Sequence, residues 1–313
     1  MLAYAIRRIL STIPVMLVVA LFVFSLLYIA PGDPAAIIAG DQATAEDVER
    51  IRVSLGLDRP FLVRFGDWLW HIVHGDLGTS IFTNLPVTHM IAQRIEPTLS
   101  LMVLTLILSL VCAIPMGVVA AWKHGTWIDR AVMVLAVFGF SVPVFVVGYL
   151  LAWVFALQLN WLPVQGFTPL SAGFWPFLRN LILPTLALGG VYIALIARIT
   201  RATMLEVLSQ DYVRTARAKG VDQRSVLFVH ALKNAAVPII TVVGLGVALL
   251  IGGAVVTESV FAIPGLGRLT VDAILRRDYP VIQGVVLLFS FVYVLVNLGV
   301  DLLYTVFDPR IRY

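Results

Sequence analysis

Lysine, cysteine and charge in general are scarce in this chain, and each scarcity excludes something. There are three lysines in 313 residues, Lys123, Lys219 and Lys233. None follows a glycine, so the chain has no GxxxxGK[ST] phosphate loop and carries no such site for ATP hydrolysis. There is one cysteine, Cys112, which rules out an intrachain disulfide. It sits in an apolar stretch with no polar neighbour in sequence, so it reads as a small packing residue rather than a nucleophile. Only 13% of residues are charged, about half the share of an ordinary soluble domain. No repeat of helical-array period is visible.

What the chain has in abundance is apolar surface: 60% hydrophobic residues and a mean hydropathy of +0.97. Most of it must face lipid or other helices. Apolar runs of about the length that crosses a bilayer lie near 9–30, 98–121, 131–157, 181–197, 235–256 and 281–306. The expected fold is therefore an all-α integral membrane protein with about six transmembrane helices. The first run is too long for the apolar core of a secretory signal and is read as an uncleaved span. Pro143 should kink the third span. Gly244, Gly246, Gly252 and Gly253 in the fifth permit close helix approach, or form a smooth wall along a transport path.

Between the first two spans lies a polar insert, 31–97. Pro31-Gly32-Asp33-Pro34 ends span one. Thr44 and Asp47 make a capping box, and Gly56 closes that helix. Asp58, Arg59 and Pro60 start a second helix. Its Phe61, Phe65, Trp68, Leu69 and Ile72 share one apolar face, and with Trp68 and Trp70 present the helix is expected along the membrane surface. A third short helix is expected over 87–95. His71 and His74 have metal-compatible spacing, but two histidines do not make a site, and no metal is expected. The loop from 158 to 177 holds proline, glycine and aromatic residues with no charge before Arg179. Asp301 stands within the last span; an acid there is a candidate proton site, or else it lies near the span's end beside a basic residue or helix terminus.

The most informative stretch is 211–233, DYVRTARAKGVDQRSVLFVHALK. It is a basic island between apolar spans and reads as two short helices. Asp211 would cap the first, Gly220 would take the left-handed turn after it, and Asp222 would cap the second. With basic residues held inside, both termini and this stretch are cytoplasmic, as the positive-inside rule and an even number of spans require. Nucleic acid is an improbable partner for a surface so close to a bilayer.

The pattern of Ala216, Gly220 and Leu232 resembles the EAA loop of ABC-transporter permeases. The longer strings Tyr212–Gly220 and His230–Ala235 are similar to the dipeptide, oligopeptide, glutathione and nickel branch of that family. Arg214, Thr215 and Lys233 stand where the general motif has Glu, Ala and often Pro, and these departures match the branch. Pro-Gly-Asp-Pro at 31–34, Gly-Asp-Leu-Gly at 75–78, Pro-Gly-Leu-Gly-Arg at 264–268, Arg-Arg-Asp-Tyr-Pro at 276–280 and the closing 308–313 resemble it too. The resemblance implies a type I importer permease fold: first helix 1–30, external insert 31–97, permease domain 98–307 and a cytoplasmic tail 308–313.

It also implies partners: a second homologous permease, two ATPase subunits that bind ATP and Mg, and an external substrate-binding protein. The chain would hold no cofactor of its own and would not be an enzyme. Asp211, Tyr212, Arg214, Thr215, Ala216, Arg217, Lys219, Gly220, His230 and Leu232 would form the ATPase-coupling loop. Glu258, Arg268, Asp272, Arg277 and Asp278 would belong to an external loop acting as lid or docking surface, unless it is a solvated turn. The implied activity is import of di- or oligopeptides, or of glutathione, an opine or a nickel chelate. A proton-driven secondary carrier and a non-transporting scaffold are the rivals from other classes. Sparse intramembrane acids weigh against the first, and the 211–233 loop against the second.

Overall fold

The computed structural model describes residues 2–29, 34–39, 43–54 and 56–307. Among them the regular structure is helical, apart from one isolated bridge between Thr79 and Pro86. The helices are α1 (Leu2–Ile29), α2 (Pro34–Ala39), α3 (Ala45–Ser54), α4 (Phe61–Val73), α5 (Val87–Trp122), α6 (Trp127–Ser141), α7 (Val144–Leu151), α8 (Phe174–Leu208), α9 (Asp211–Ala218), α10 (Gln223–Ser225), α11 (Leu232–Asn234), α12 (Ala236–Val260), α13 (Leu266–Arg276) and α14 (Tyr279–Phe307). Wider π-helical turns continue α7 through Ala152–Gln158 and join α10 to α11 through Val226–Ala231. Five helices are long and apolar enough to cross a membrane, and the bent pair α6–α7 makes up to six. The chain divides into two compact units, one of 1–5, 95–268 and 295–313, the other of 6–94 and 269–294.

In the larger unit the core is built on α8. Leu181, Leu183, Leu188 and Tyr192 pack with Leu101 and Met102 of α5, Leu250 and Ala254 of α12, and Phe261 and Ile263 beyond it. Small residues set the helix spacing. A Cβ on Gly117 would overlap Thr200, and one on Gly253 would overlap Leu188. Such close approach supplies the dispersion contact that lipid-facing helices cannot gain from hydrophobicity. Three of the four glycines expected to permit approach do so: Gly244 faces Val300, Gly246 faces Tyr192 and Gly253 faces Leu188, while Gly252 faces open space. Pro143 does more than kink its span. The chain turns by 100° between α6 and α7, because proline lacks the N–H that would continue the ladder. Cys112 is half-buried.

In the smaller unit the capping box forms as the sequence specifies. Thr44 N–H donates to Asp47 Oδ2 at 3.1 Å, and Asp47 N–H donates to Thr44 Oγ1 at 3.2 Å. Gly56 has a φ of +64° at the end of that helix. The apolar stripe of α4 is spent within the protein: Phe65, Trp68, Leu69 and Ile72 pack on Ala20 and Val23 of α1 and Leu287 of α14. Leu62, Trp70 and Val73 are exposed instead. The stripe therefore gives no support to a surface-lying helix, which would rest on that second set of residues. His71 lies 3.4 Å from Asp76, and His74 Nδ1 lies 2.8 Å from the Trp70 carbonyl. No group of three potential metal ligands occurs among the described residues.

Two expectations are corrected. The short helix at 87–95 is the start of α5, which runs unbroken through Pro97 and Pro115 for 36 residues. Proline is tolerated in a long membrane helix when neighbouring groups take up the freed carbonyl. The fourth span is much longer than the expected 181–197. It begins at Phe174 and continues past Arg198, Arg201 and Glu206 to Leu208. The Pro-Gly-Asp turn at 31–33 and the tail at 308–313 lie outside the described residues.

Candidate functional site

The 211–233 stretch forms two short helical segments, as expected, on an apolar platform. Val118 and Ala121 of α5, Met204 of α8, and Leu227, Ala231, Ala235 and Ile239 make its buried base. Val213 is the one fully buried residue of α9, and Val226 and Leu227 are buried in the π-helical stretch. Everything else on α9 except half-buried Ala216 is exposed: Asp211, Tyr212, Arg214, Thr215, Arg217, Ala218 and the following Lys219 and Gly220. Apolar residues recurring at helical spacing pin one edge of each segment and free the other.

The turn is made by local chemistry. Gly220 has a φ of +79°, the region that only glycine enters without steric cost. Its N–H donates to Arg217 at 3.0 Å, and Val221 N–H donates to Ala216 at 3.2 Å, closing the helix end. Asp222 then caps the next helix: its Oδ2 accepts from the N–H groups of Arg224 and Ser225, both at 3.1 Å. Bonds from Ser225 and the neighbouring amides hold the Asp222 carboxyl below the usual carboxylate range. Partial burial raises the Tyr212 phenol, and the neighbouring Asn234 side chain opposes that shift.

Asp211 is not the cap the sequence suggested. The cap position is Gln210, with no side-chain bond, and Asp211 lies in the first turn. There its charge still favours the positive end of the helix. Thr215 Oγ1 donates back to the Asp211 carbonyl at 3.0 Å. His230 and Leu232 are half-buried, and Asn234 Nδ2 donates to the His230 carbonyl at 2.7 Å. The exposed surface carries Arg214, Arg217, Lys219, Arg224 and Lys233 beside exposed Tyr212, Phe228 and Val229. Arginine with aromatic side chains is the composition of a protein-docking surface.

One charged group near the end of α8 is not legible in the sequence. Asp129 of α6, 4% exposed, accepts from Arg201 Nη2 at 2.8 Å, from Gly125 N–H at 3.0 Å, and lies 3.1 Å from His124 Nδ1. The pair fixes the α5–α6 turn to the end of α8 from which α9 departs. Its members are 72 positions apart, and neither stands in a motif.

The external-loop candidates divide between the two units. Glu258 lies in the last turn of α12 and is fully buried. It accepts from Thr98 Oγ1 at 2.6 Å and from Arg268 N–H at 3.0 Å, while Leu266 N–H donates to Thr98 Oγ1 at 2.8 Å. A Cβ on Gly265 or Gly267 would overlap that carboxylate, so the Pro-Gly-Leu-Gly-Arg string wraps it at the N-terminus of α13. The Arg268 side chain is exposed. In the other unit, Asp278 is 4% exposed and accepts from Ser80 Oγ and from Ile81 N–H at 3.2 Å. Arg277 is exposed with a φ of +59°, and Asp272 is half-buried. Glu258 and Asp278 are thus buried staples rather than members of a solvated turn. Asp301 is half-buried in α14.

Residues 113–313 match the family described as binding-protein-dependent transport system inner membrane component, and 1–102 match its N-terminal model. A probable peptide ABC transporter permease protein of Sinorhizobium fredii is 56% identical, covering 99% of both chains. A putative peptide transport system permease protein of Brucella abortus is 50% identical over the whole of both. The glutathione transport system permease protein GsiC of Salmonella typhimurium is 45% identical, again over both full lengths. In fold, the chain is similar to a solved structure of inward-facing conformations of the MetNI methionine ABC transporter. The TM-score is 0.59 at 16% identity, covering 70% of this chain and 96% of that one.

Proposed function

The chain belongs to the family of binding-protein-dependent transport system inner membrane components, and on that premise we propose that it is the permease subunit of an ATP-driven importer for small peptides or a related solute such as glutathione. It is a multi-pass protein of the inner membrane and not itself an enzyme. The identities of its full-length relatives support the cargo class. ATP and Mg are bound by two partner ATPase subunits. A second permease and an external binding protein complete the assembly.

The observation that carries this reading is the 211–233 surface: a cationic and aromatic face, exposed on a rigid apolar base, between two membrane helices. This face is the ATPase dock, and it is cytoplasmic, as are both termini. ATP closes the two ATPases. Motion of α9 then passes through the platform into α5, α8 and α12, which switch the cavity between outward-open and inward-open. Such transmission needs two discrete packings of stiff elements rather than a flexible loop. The buried Val213 and the apolar platform supply the stiffness.

Gentle extraction from native membranes, identification of what co-purifies and an ATP-hydrolysis assay test the proposal. Two ATPases and a second permease, with hydrolysis stimulated by loaded binding protein, are expected. A chain that purifies alone and whose transport collapses with the proton gradient would instead be a secondary carrier.

A further inference from the structure

Next to the α6–α7 break, an open groove of about 110 Å³ lies between α6 and α8, lined by Ala136, Phe140, Ser141, Ala194 and Arg198, of which Phe140, Ser141 and Arg198 are exposed. Irregular backbone at membrane depth is tolerated where it lines a cavity or is buried in protein. Proline-interrupted spans are also where transporters commonly place binding sites. The one charged group in this groove's wall is Arg198.

The direction of Arg198 is the informative observation. Helices α6 and α8 run antiparallel. Asp129 pairs with Arg201, while ten residues further along α6 a Cβ on Gly139 would sit 3.0 Å from the Gly190 carbonyl and 3.4 Å from Ala194. Phe140 therefore stands level with 190–194, one to two turns toward the middle of α8 from Arg198. The Arg198 guanidinium lies 5.9 Å from the Phe140 ring centroid. It thus reaches toward mid-helix. A basic side chain near the end of a span ordinarily turns its head to the nearer water interface. Arg198 has no carboxylate partner among the described residues, whereas Arg201, one turn on, is satisfied by Asp129. An exposed guanidinium beside an aromatic ring, lining a groove, is suited to a carboxylate.

We propose that this groove is a transmembrane contact for cargo, in which Arg198 binds the carboxylate of a passing peptide and Phe140 holds the guanidinium in place. The inference rests on the peptide-cargo reading above. A lipid phosphate offers the same anionic oxygens, so the test must separate the two sources.

The test uses the complete complex in vesicles, with a neutral dipeptide as probe and Arg198→Gln and Arg198→Lys as variants. Dipeptide uptake and binding-protein-stimulated ATP hydrolysis are measured in phosphatidylcholine vesicles with and without phosphatidylglycerol. The expected result is an uptake rate at least tenfold lower for Arg198→Gln, with partial rescue by Arg198→Lys. Hydrolysis stays within twofold of wild type, and added anionic lipid changes neither ratio. Unchanged uptake, equal loss of uptake and hydrolysis, or a defect present only with phosphatidylglycerol would each overturn the proposal, the last by assigning Arg198 to lipid. A wild-type complex that imports no dipeptide would refute the cargo reading, and this inference with it.

Discussion

Replacing Gly220 by valine isolates the turn of the 211–233 loop from everything around it. No atom lies within 4 Å of the position a Cβ would take, so a side chain there meets no clash. The penalty is purely conformational. At a φ of +79° an L-residue is disfavoured by roughly 1–2 kcal/mol, and a β-branched one by more. A shift of that size changes the balance between two loop arrangements by a factor of about 5–30. It leaves the platform of Met204, Leu227 and Ala231 intact, so membrane insertion and abundance should be unchanged. Asparagine, which tolerates the left-handed region, provides the control. In vesicles, Gly220→Asn should import near the wild-type rate, and Gly220→Ala should be intermediate. Gly220→Val should lose most import while basal ATP hydrolysis continues. If valine imports normally with normal stimulation, or if asparagine fails as badly as valine, the turn is not part of the coupling path.

Further outcomes follow from the buried polar groups. Glu258→Ala should remove the acceptor of the Thr98 hydroxyl proton and of the Arg268 N–H, at about 1–3 kcal/mol each, lowering the melting temperature in detergent. Gly265→Ala should lower it as well, because its Cβ would overlap the carboxylate, and a melting temperature unchanged in both variants would refute the staple. Arg201→Ala leaves Asp129 buried beside a neutral partner and should cost about 3 kcal/mol. A double variant Asp129→Asn with Arg201→Gln should recover part of that stability, and a thermal-shift cycle measures the recovery. The Asp222 carboxyl is held below its usual range, so its stabilising effect is complete above the ordinary carboxylate value of roughly 4 and lost as pH falls through the lower folded value. Amide exchange at Arg224 and Ser225, corrected for intrinsic rates, should therefore be flat from about pH 5 to 8 and rise only in acid. Faster corrected exchange toward pH 8 would contradict the cap.

Features decided within one turn of chain were legible in the sequence. The Thr44–Asp47 box, the Gly220 turn, the Asp222 cap and the Pro143 break each depend on residues at most four apart, and each is where local stereochemistry puts it. The helical membrane class followed from composition, since 60% apolar residues cannot be hidden in a soluble core of this size. Pro97 misled, because the rule that proline ends helices assumes water on the freed carbonyl and a short helix around it. The apolar run at 181–197 understates its helix because α8 carries Arg198 and Arg201 inside it. The Asp129–Arg201 pair and the burial of Glu258 and Asp278 are tertiary facts. Their partners lie 72, 160 and 198 positions away, and no spacing rule reaches that far.

The central claim is that the 211–233 face touches the ATPase. It is tested most directly by placing a photo-cross-linking residue at Arg217, exposed on α9, and at Trp70, 67% exposed on α4, in the intact complex. Capture of an ATPase subunit from position 217 and not from position 70, with loss of hydrolysis on irradiation, is the expected result. Capture from position 70 but not from 217, or from neither while the complex remains active, would contradict it.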